Sequence, residues 1–397
     1  MCGAPSAAGA QPARFRNFRT FPMPRAAFVY TDAFTTYHLG DRHPLQQTRL
    51  RMTHRLLDAY GAFHSPSSSL VTPTPAAPND LLRVHTPDYL HALRALSRGE
   101  AVPDRARYGF GNGDTPPFPG MWEASLLYAG ASLDCARLVW EGGYQAAFNT
   151  SGGLHHAQSN RAAGFCTVND CALVAHWLLA RGARRVAYVD IDAHHGDGVQ
   201  ALFYDDPRVL TLSIHESPLS LFPRKTGFAH EIGMGAGLGF NANLPLARAS
   251  GDAVHTQAFE AAFLPLLRAF HPDAVLLQVG TDAHFSDRLA HLNLTSRGWL
   301  SAVRSVLNLG LPTIALGGGG YNLPTVARLW TLCYGALSGQ DFPDALPPPF
   351  AQDWQTAALR DPAAPLPLAA PEDDNARACA AESVRLVREH VFPFHGL

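Results

Sequence analysis

The chain has 397 residues, 47% of them hydrophobic and 16% charged, with a formal net charge of −2. That suffices for one large or two smaller cores, and with no basic block it gives no electrostatic reason to meet nucleic acid or an anionic membrane. Cys2, Cys135, Cys166, Cys171, Cys333 and Cys379 are scattered without a CxxC pair, which suits free thiols in a reducing cytoplasm and argues against a thiolate zinc site.

Residues 1–24 are rich in Ala, Pro and Arg and lack a continuous apolar run, so they read as a loose extension and not a signal peptide. No stretch approaches the length of a membrane span. Ser65–Pro78, rich in Pro and Ser, reads as a connecting loop. A helix is predicted over 121–141, then the short apolar run Ala146–Phe148, then a helix over 167–181 with Asn169 and Asp170 near its start. Strands are predicted at 186–191 and Val209–Ile214, a helix at 254–270 and a strand at Ala274–Val279. A helix at 295–309, begun by Thr295 and Ser296, precedes a strand at Thr313–Leu316 and a helix at 322–338. A Pro/Ala-rich connection at about 346–371 leads to a last helix near 375–390. The strand candidates are continuously apolar, as a parallel sheet covered on both faces requires. Strands alternating with helices imply right-handed crossovers and an α/β fold, with 25–397 read as a single domain.

Chemistry collects at the ends of these strands. The run at 190–197 is Asp-Ile-Asp-Ala-His-His-Gly-Asp, and unpaired buried charge of this kind costs several kcal/mol unless it holds a metal or does acid–base work. On an extended strand end Asp192 and His194, two apart, point the same way. Asp282, after the strand at Ala274–Val279, completes an Asp-His-Asp set suited to zinc or iron(II), with coordination left open for water and substrate. The strand at Thr313–Leu316 runs into Gly317-Gly318-Gly319-Gly320-Tyr321, a turn able to swing a tyrosine hydroxyl inward. His155 and His156, with Asp190 and Asp197 as spare carboxylates, make plausible carboxylate-backed imidazoles.

These residues resemble the zinc-dependent histone deacetylase family, especially the bacterial acetoin-utilisation type. The resemblance runs from about Tyr30 to Gly339 and includes Arg49-Leu50-Arg51-Met52-Thr53-His54, His85-Thr86-Pro87-Asp88-Tyr89, Gly113-Asp114-Thr115-Pro116 and Gly152-Gly153-Leu154-His155-His156-Ala157. It continues through Gly164-Phe165-Cys166, the 190–198 run, Thr281-Asp282 and Gly317 to Tyr321. It implies a three-layer single-domain fold shared with arginases, with a central, mainly parallel sheet of about eight strands.

The resemblance further implies Asp192, His194 and Asp282 as metal ligands, and His156, backed by Asp197, as general base and then acid. His155, backed by Asp190, would be mainly an electrostatic partner, and Tyr321 would donate to the substrate carbonyl. Gly164, Phe165 and Phe222 would wall an acyl-lysine tunnel, with Asp114 at its rim and Arg49 in a channel through which acetate leaves. A structural potassium would use Asp190, Asp192, Ser213 and the carbonyls of His194 and Ile214. A second would use the carbonyls of Phe203, Val209 and Phe240 with Asp206. The expected substrate is an acetylated protein or peptide. An acetylpolyamine hydrolase would show an acidic gatekeeper where Leu289 stands. An arginase-like dimetal site would want carboxylates where Gly196 and His284 stand, and an inactive acyl-lysine reader would have lost a ligand or Tyr321. His38, His54, His85 and His91 read as structural, Cys166 as a core residue near the tunnel, and Trp122 and Trp140 as packing.

Overall fold

The computed structural model describes residues 25–111, 113–361 and 370–397; the proposed extension at 1–24 lies outside them. Eight strands form one sheet: β1 (Ala26–Val29), β2 (Ser68–Val71), β3 (Ala146–Asn149), β4 (Val186–Asp190), β5 (Val209–Glu216), β6 (Asn241–Leu246), β7 (Ala274–Gln278) and β8 (Thr313–Leu316). Their order across the sheet is β2-β1-β3-β8-β7-β4-β5-β6, and every pairing is parallel. Six of the eight are buried along their whole length, which is why their sequences are mainly apolar, with polar residues such as Asn149, Asp190, Ser213 and Gln278 toward their carboxyl ends.

Helices cover both faces. On one lie α1 (Thr48–Ala59), α6 (Asp252–Phe270), α7 (Ser296–Leu307), α8 (Leu323–Ser338) and α10 (Ala370–His390), packed in the neighbour order α10-α6-α7-α8-α1. On the other lie α2 (Pro87–Ser97), α3 (Met121–Trp140), α4 (Asp170–Ala180) and α5 (Asp197–Phe203). The expected caps form: Asn169 Oδ1 accepts from Ala172 N–H at 2.9 Å and Thr295 Oγ1 from Arg297 N–H at 3.2 Å. One continuous core runs from Ala26 to Val391.

The structure differs from the sequence reading in four places. The Ser65–Pro78 loop contains β2, an edge strand whose partial burial and two serines hide it. The other edge strand, β6, reads Asn-Ala-Asn-Leu-Pro-Leu and carries a proline, which edge strands tolerate. The strand expected to run to Ile191 ends at Asp190, so Asp192 and His194 lie on the loop beyond it. The Pro-rich span after Leu346 contains a further short helix, α9 (Pro348–Trp354), before Asp361 docks against α7 and α8.

Candidate active site

In a parallel sheet, all strands present their carboxyl ends on the same side, and loops there converge. The loops after β3, β4, β7 and β8, four strands adjacent in the sheet, bring the predicted residues together. Asp192, His194 and Asp282 are all buried, and one ligand-type atom from each lies within 4.8 Å of the others. His194 Nδ1 is 3.1 Å from Asp192 Oδ1 and 2.9 Å from Asp282 Oδ2. The remaining carboxylate oxygens are fixed: Asp192 Oδ2 accepts from Gln278 Nε2 and from Gly319 N–H, each at 2.8 Å, and Asp282 Oδ1 from Ala193 N–H at 2.8 Å.

Two observations test whether a cation fits here. Burial and the charge of Asp192 push Asp282 up to about 7, and the imidazole of His194, set between the two carboxylates, is pushed well up by both against the effect of burial, so this point favours positive charge. Gly319 leaves space for them, since a Cβ there would stand 2.0 Å from Asp282 Oδ2 and 2.8 Å from Asp192 Oδ2. Oxygen, nitrogen and oxygen donors at one point suit a divalent transition metal.

Beside the ligands stand two imidazoles in different states. His155 Nδ1 is 2.7 Å from Asp190 Oδ2, which also accepts the Tyr188 hydroxyl at 2.6 Å. Burial alone would push His155 down, but the charges of Asp190 and Asp192 outweigh it and raise the ring to about 9. His156 Nδ1 is 2.6 Å from Asp197 Oδ1, whose other oxygen accepts from Gln158 Nε2 at 3.0 Å. For His156, burial and the neighbouring His155 charge outweigh Asp197 and lower it to about 4. The two Nε2 atoms are 3.1 Å apart. A carboxylate holds each ring at Nδ1, so Nε2 is the nitrogen of His156 left for proton exchange, as a general base requires.

The cavity over these groups is lined by His155, His156, Asp192, His194, Phe165 and Tyr321, among others. Phe222 stacks edge-on against His156 at 4.9 Å between centroids, and Phe165 against Tyr321 at 5.9 Å. Phe165 holds a left-handed φ of 71°, and its carbonyl is gripped by the Tyr37 hydroxyl. Gly164 is required for close approach, since a Cβ there would meet His156 Cδ2 at 2.3 Å. Arg49 is buried behind the site, its guanidinium donating to Gly320 O at 3.1 Å and lying 5.1 Å from the Trp330 ring.

Other predicted residues sit further out. Asp114 is exposed, and its carbonyl meets His43 Nε2 at 3.1 Å, with that imidazole edge-on to Phe165. Leu289 packs half-buried against the core. Ser213 pairs with Asp190 across β4 and β5, its Oγ 2.8 Å from His215 Nδ1, and Ile214 follows it. Phe203, Asp206 and Val209 belong to the α5–β5 connection, and the Phe240 carbonyl accepts from Thr211 N–H at 3.0 Å. Asp206 holds Arg208 with both oxygens, at 2.9 and 2.7 Å.

The sequence reading missed residues that build the site without touching its chemistry. Gln278 braces Asp192 from the end of β7, where a polar residue closing an apolar strand was the available signal. Asp170, read only as capping chemistry, accepts from the N–H groups of Gly153 and Leu154 at 3.0 and 2.9 Å and so shapes the loop carrying the two histidines. Asp287 accepts from Tyr321 N–H at 2.8 Å. Of the residues read as structural, His54 stacks on Tyr30 at 4.1 Å and His85 Nε2 accepts from Asn169 N–H at 3.0 Å, Cys166 is buried, and His38 and His91 lie exposed.

A buried Asp-His-Asp metal site and two carboxylate-backed imidazoles at the mouth of a parallel sheet define a metallohydrolase. The chain matches the histone deacetylase domain over residues 43–337. It is 38% identical to the acetoin utilization protein AcuC of Bacillus subtilis over 340 residues, 84% of this chain and 87% of that one. It is 37% identical to histone deacetylase clr6 of Schizosaccharomyces pombe over 334 residues, 82% and 80% of the two chains. The crystal structure of a histone deacetylase homologue from Aquifex aeolicus superposes with a TM-score of 0.82 at 32% identity, covering 90% of this chain and all of that one. The chain belongs to the histone deacetylase family. Among the described residues no helix is long and apolar enough to cross a membrane.

Proposed function

We propose that the protein is a metal-dependent lysine deacetylase that hydrolyses Nε-acetyl-lysine in proteins or peptides to lysine and acetate. The observation that carries this reading is the pair His155 and His156, each held through Nδ1 by a carboxylate, at 2.7 Å from Asp190 and 2.6 Å from Asp197, beside the Asp192, His194 and Asp282 donors. A zinc or iron(II) ion held by those donors would supply Lewis-acid activation of water. His156 Nε2 takes the proton from the attacking water as its oxygen bonds to the acetyl carbon. Asp197, at 2.6 Å, steadies the imidazolium that results. The Tyr321 hydroxyl donates to the carbonyl oxygen as it gains charge, and the positive His155 adds to that field. When the C–N bond breaks, His156 returns its proton to the departing lysine nitrogen. Phe165 and Phe222 favour the apolar lysine stem and exclude water, with Gly164 giving the wall its close fit and Asp114 at the rim holding the substrate backbone. Arg49 lines the acetate exit.

Leu289 at the rim supports a peptide over a polyamine, because an acidic residue there would favour a second amine. A structural potassium at Asp190, Asp192, Ser213, His194 O and Ile214 O belongs to the same proposal. A second would rest on the carbonyls of Phe203, Val209 and Phe240, since Asp206 is engaged by Arg208. The test is turnover by the zinc-reconstituted protein of an acetyl-lysine peptide and of N8-acetylspermidine, with Asp282→Ala as blank. Peptide turnover that vanishes in the blank is expected; polyamine turnover alone, or none on either, would overturn the reading.

A further inference from the structure

Asp361 lies far along the chain from every residue the sequence marks for chemistry, yet it reaches the turn after β7. Its Oδ2 is 2.8 Å from His284 Nε2 and accepts from Ser296 N–H at 2.8 Å, while Oδ1 accepts from Arg328 at 2.6 Å. His284 is 1% exposed. Its Nδ1 accepts from Ser286 N–H at 3.2 Å and lies 2.9 Å from Ser286 Oγ. That places the imidazole proton on Nε2, aimed at Asp361.

The turn pinned in this way, 284–287, is the seat of the turn that carries Tyr321. Asp287 Oδ2 accepts from Tyr321 N–H at 2.8 Å, and Asp287 N–H donates to His284 O at 2.9 Å. Asn322 Nδ2 donates to Ser286 O at 3.2 Å and Oγ at 3.1 Å, and Ser286 Oγ meets Thr325 Oγ1 at 2.9 Å. Hydrogen bonds thus run without a break from Asp361 to the backbone of Tyr321 and the side chain of Asn322. Arg328 and Ser296 would suffice to anchor Asp361 to α8 and α7. The His284 branch leads into the turn beneath Tyr321, and a largely buried network with its partners satisfied favours one geometry.

We propose that Asp361 and His284 are positioning residues that hold the Tyr321 hydroxyl at the substrate carbonyl. The inference rests on the deacetylase reading. It assigns a catalytic consequence to the segment beyond α9, and it gives His284, which stands where a dimetal site would have a carboxylate, a role of its own.

The test is a double-mutant cycle in single-turnover assays on acetyl-lysine peptide. Asp361→Asn and His284→Gln are each made in the wild type and in Tyr321→Phe. The expected result is a kcat loss of about 10- to 100-fold in the wild-type background, with KM and bound zinc little changed, and a loss under about 3-fold beside Tyr321→Phe. His284→Gln, which keeps an N–H toward Asp361, should recover part of the kcat lost in His284→Ala. Should Asp361→Asn fail to fold, the two His284 variants carry the cycle alone. Equal losses in both backgrounds, an unchanged kcat, or a loss that tracks zinc content would overturn the positioning role. An inactive wild type would instead refute the deacetylase reading itself.

Discussion

His255 on α6 offers a quantitative check on how this core is held together. The ring is buried, lies parallel to Phe259 at 6.5 Å between centroids, and neither ring nitrogen has a hydrogen-bond partner. Burial lowers it from the ordinary 6.5 to about 4. Because the folded value lies below the unfolded one, the unfolded chain binds more protons between those limits, and stability falls as pH drops. The contribution is intact above about pH 6.5, has lost about 2 kcal/mol by pH 5, and has lost about 3 kcal/mol below pH 4, at roughly 1.4 kcal/mol per pH unit. His255→Leu, similar in volume and with nothing to protonate, should remove this loss. Urea titrations followed by tryptophan fluorescence at pH 7.5 and pH 5 would give the four stabilities needed. The wild type should lose about 2 kcal/mol more than the variant between the two conditions. His85 and His215, also lowered to about 4 mainly by burial, remain in both proteins and cancel in the comparison. An identical pH dependence in the two proteins would show that His255 finds a proton acceptor or solvent when folded, and would refute the reasoning.

Tyr321→Phe should lower turnover of an acetyl-lysine peptide by about 10²- to 10³-fold with zinc binding retained, since one oxyanion donor is removed; steady-state kinetics with metal analysis check this. Gly319→Ala should abolish stoichiometric zinc binding while the protein stays folded, because the new Cβ would stand 2.0 Å from Asp282 Oδ2; atomic absorption on the purified variant decides it. Asp170→Asn should cost about 3 kcal/mol, as a buried carboxylate accepting from Ser132, Gly153 and Leu154 is replaced by an amide that turns a donor toward donors. Thermal unfolding would show it, with loss of activity following from the displaced His155 and His156.

The site was more legible in the sequence than the sheet that carries it. Asp192, His194 and Asp282 stand out because charged residues at the ends of apolar strands need a reason to be there. The four fully apolar runs were legible for the converse reason. Ser68–Val71 and Asn241–Leu246 were not, because an edge strand owes its place to one neighbour and can carry serine, asparagine or proline. The braces were hidden too. Asp170, Gln278 and Asp361 act on residues distant in the chain, so only the packed structure tells which N–H or imidazole each will meet.

The strand order has a consequence for how the chain comes together. β8, the last strand in sequence, lies between β3 and β7, and no other strand joins β2-β1-β3 to β7-β4-β5-β6. Until residues 313–316 are made, any partial sheets formed on the two sides would stand as separate ladders, each with an open apolar edge. Such edges pair readily with other chains. A nascent chain arrested before Thr313 would already hold Asp192, His194 and Asp282, but would lack the strand that aligns the β3 histidine loop with them. A chain short of that strand lacks the alignment of its two histidines with Asp192, His194 and Asp282, and Tyr321 follows only after it, so the site is completed late in synthesis.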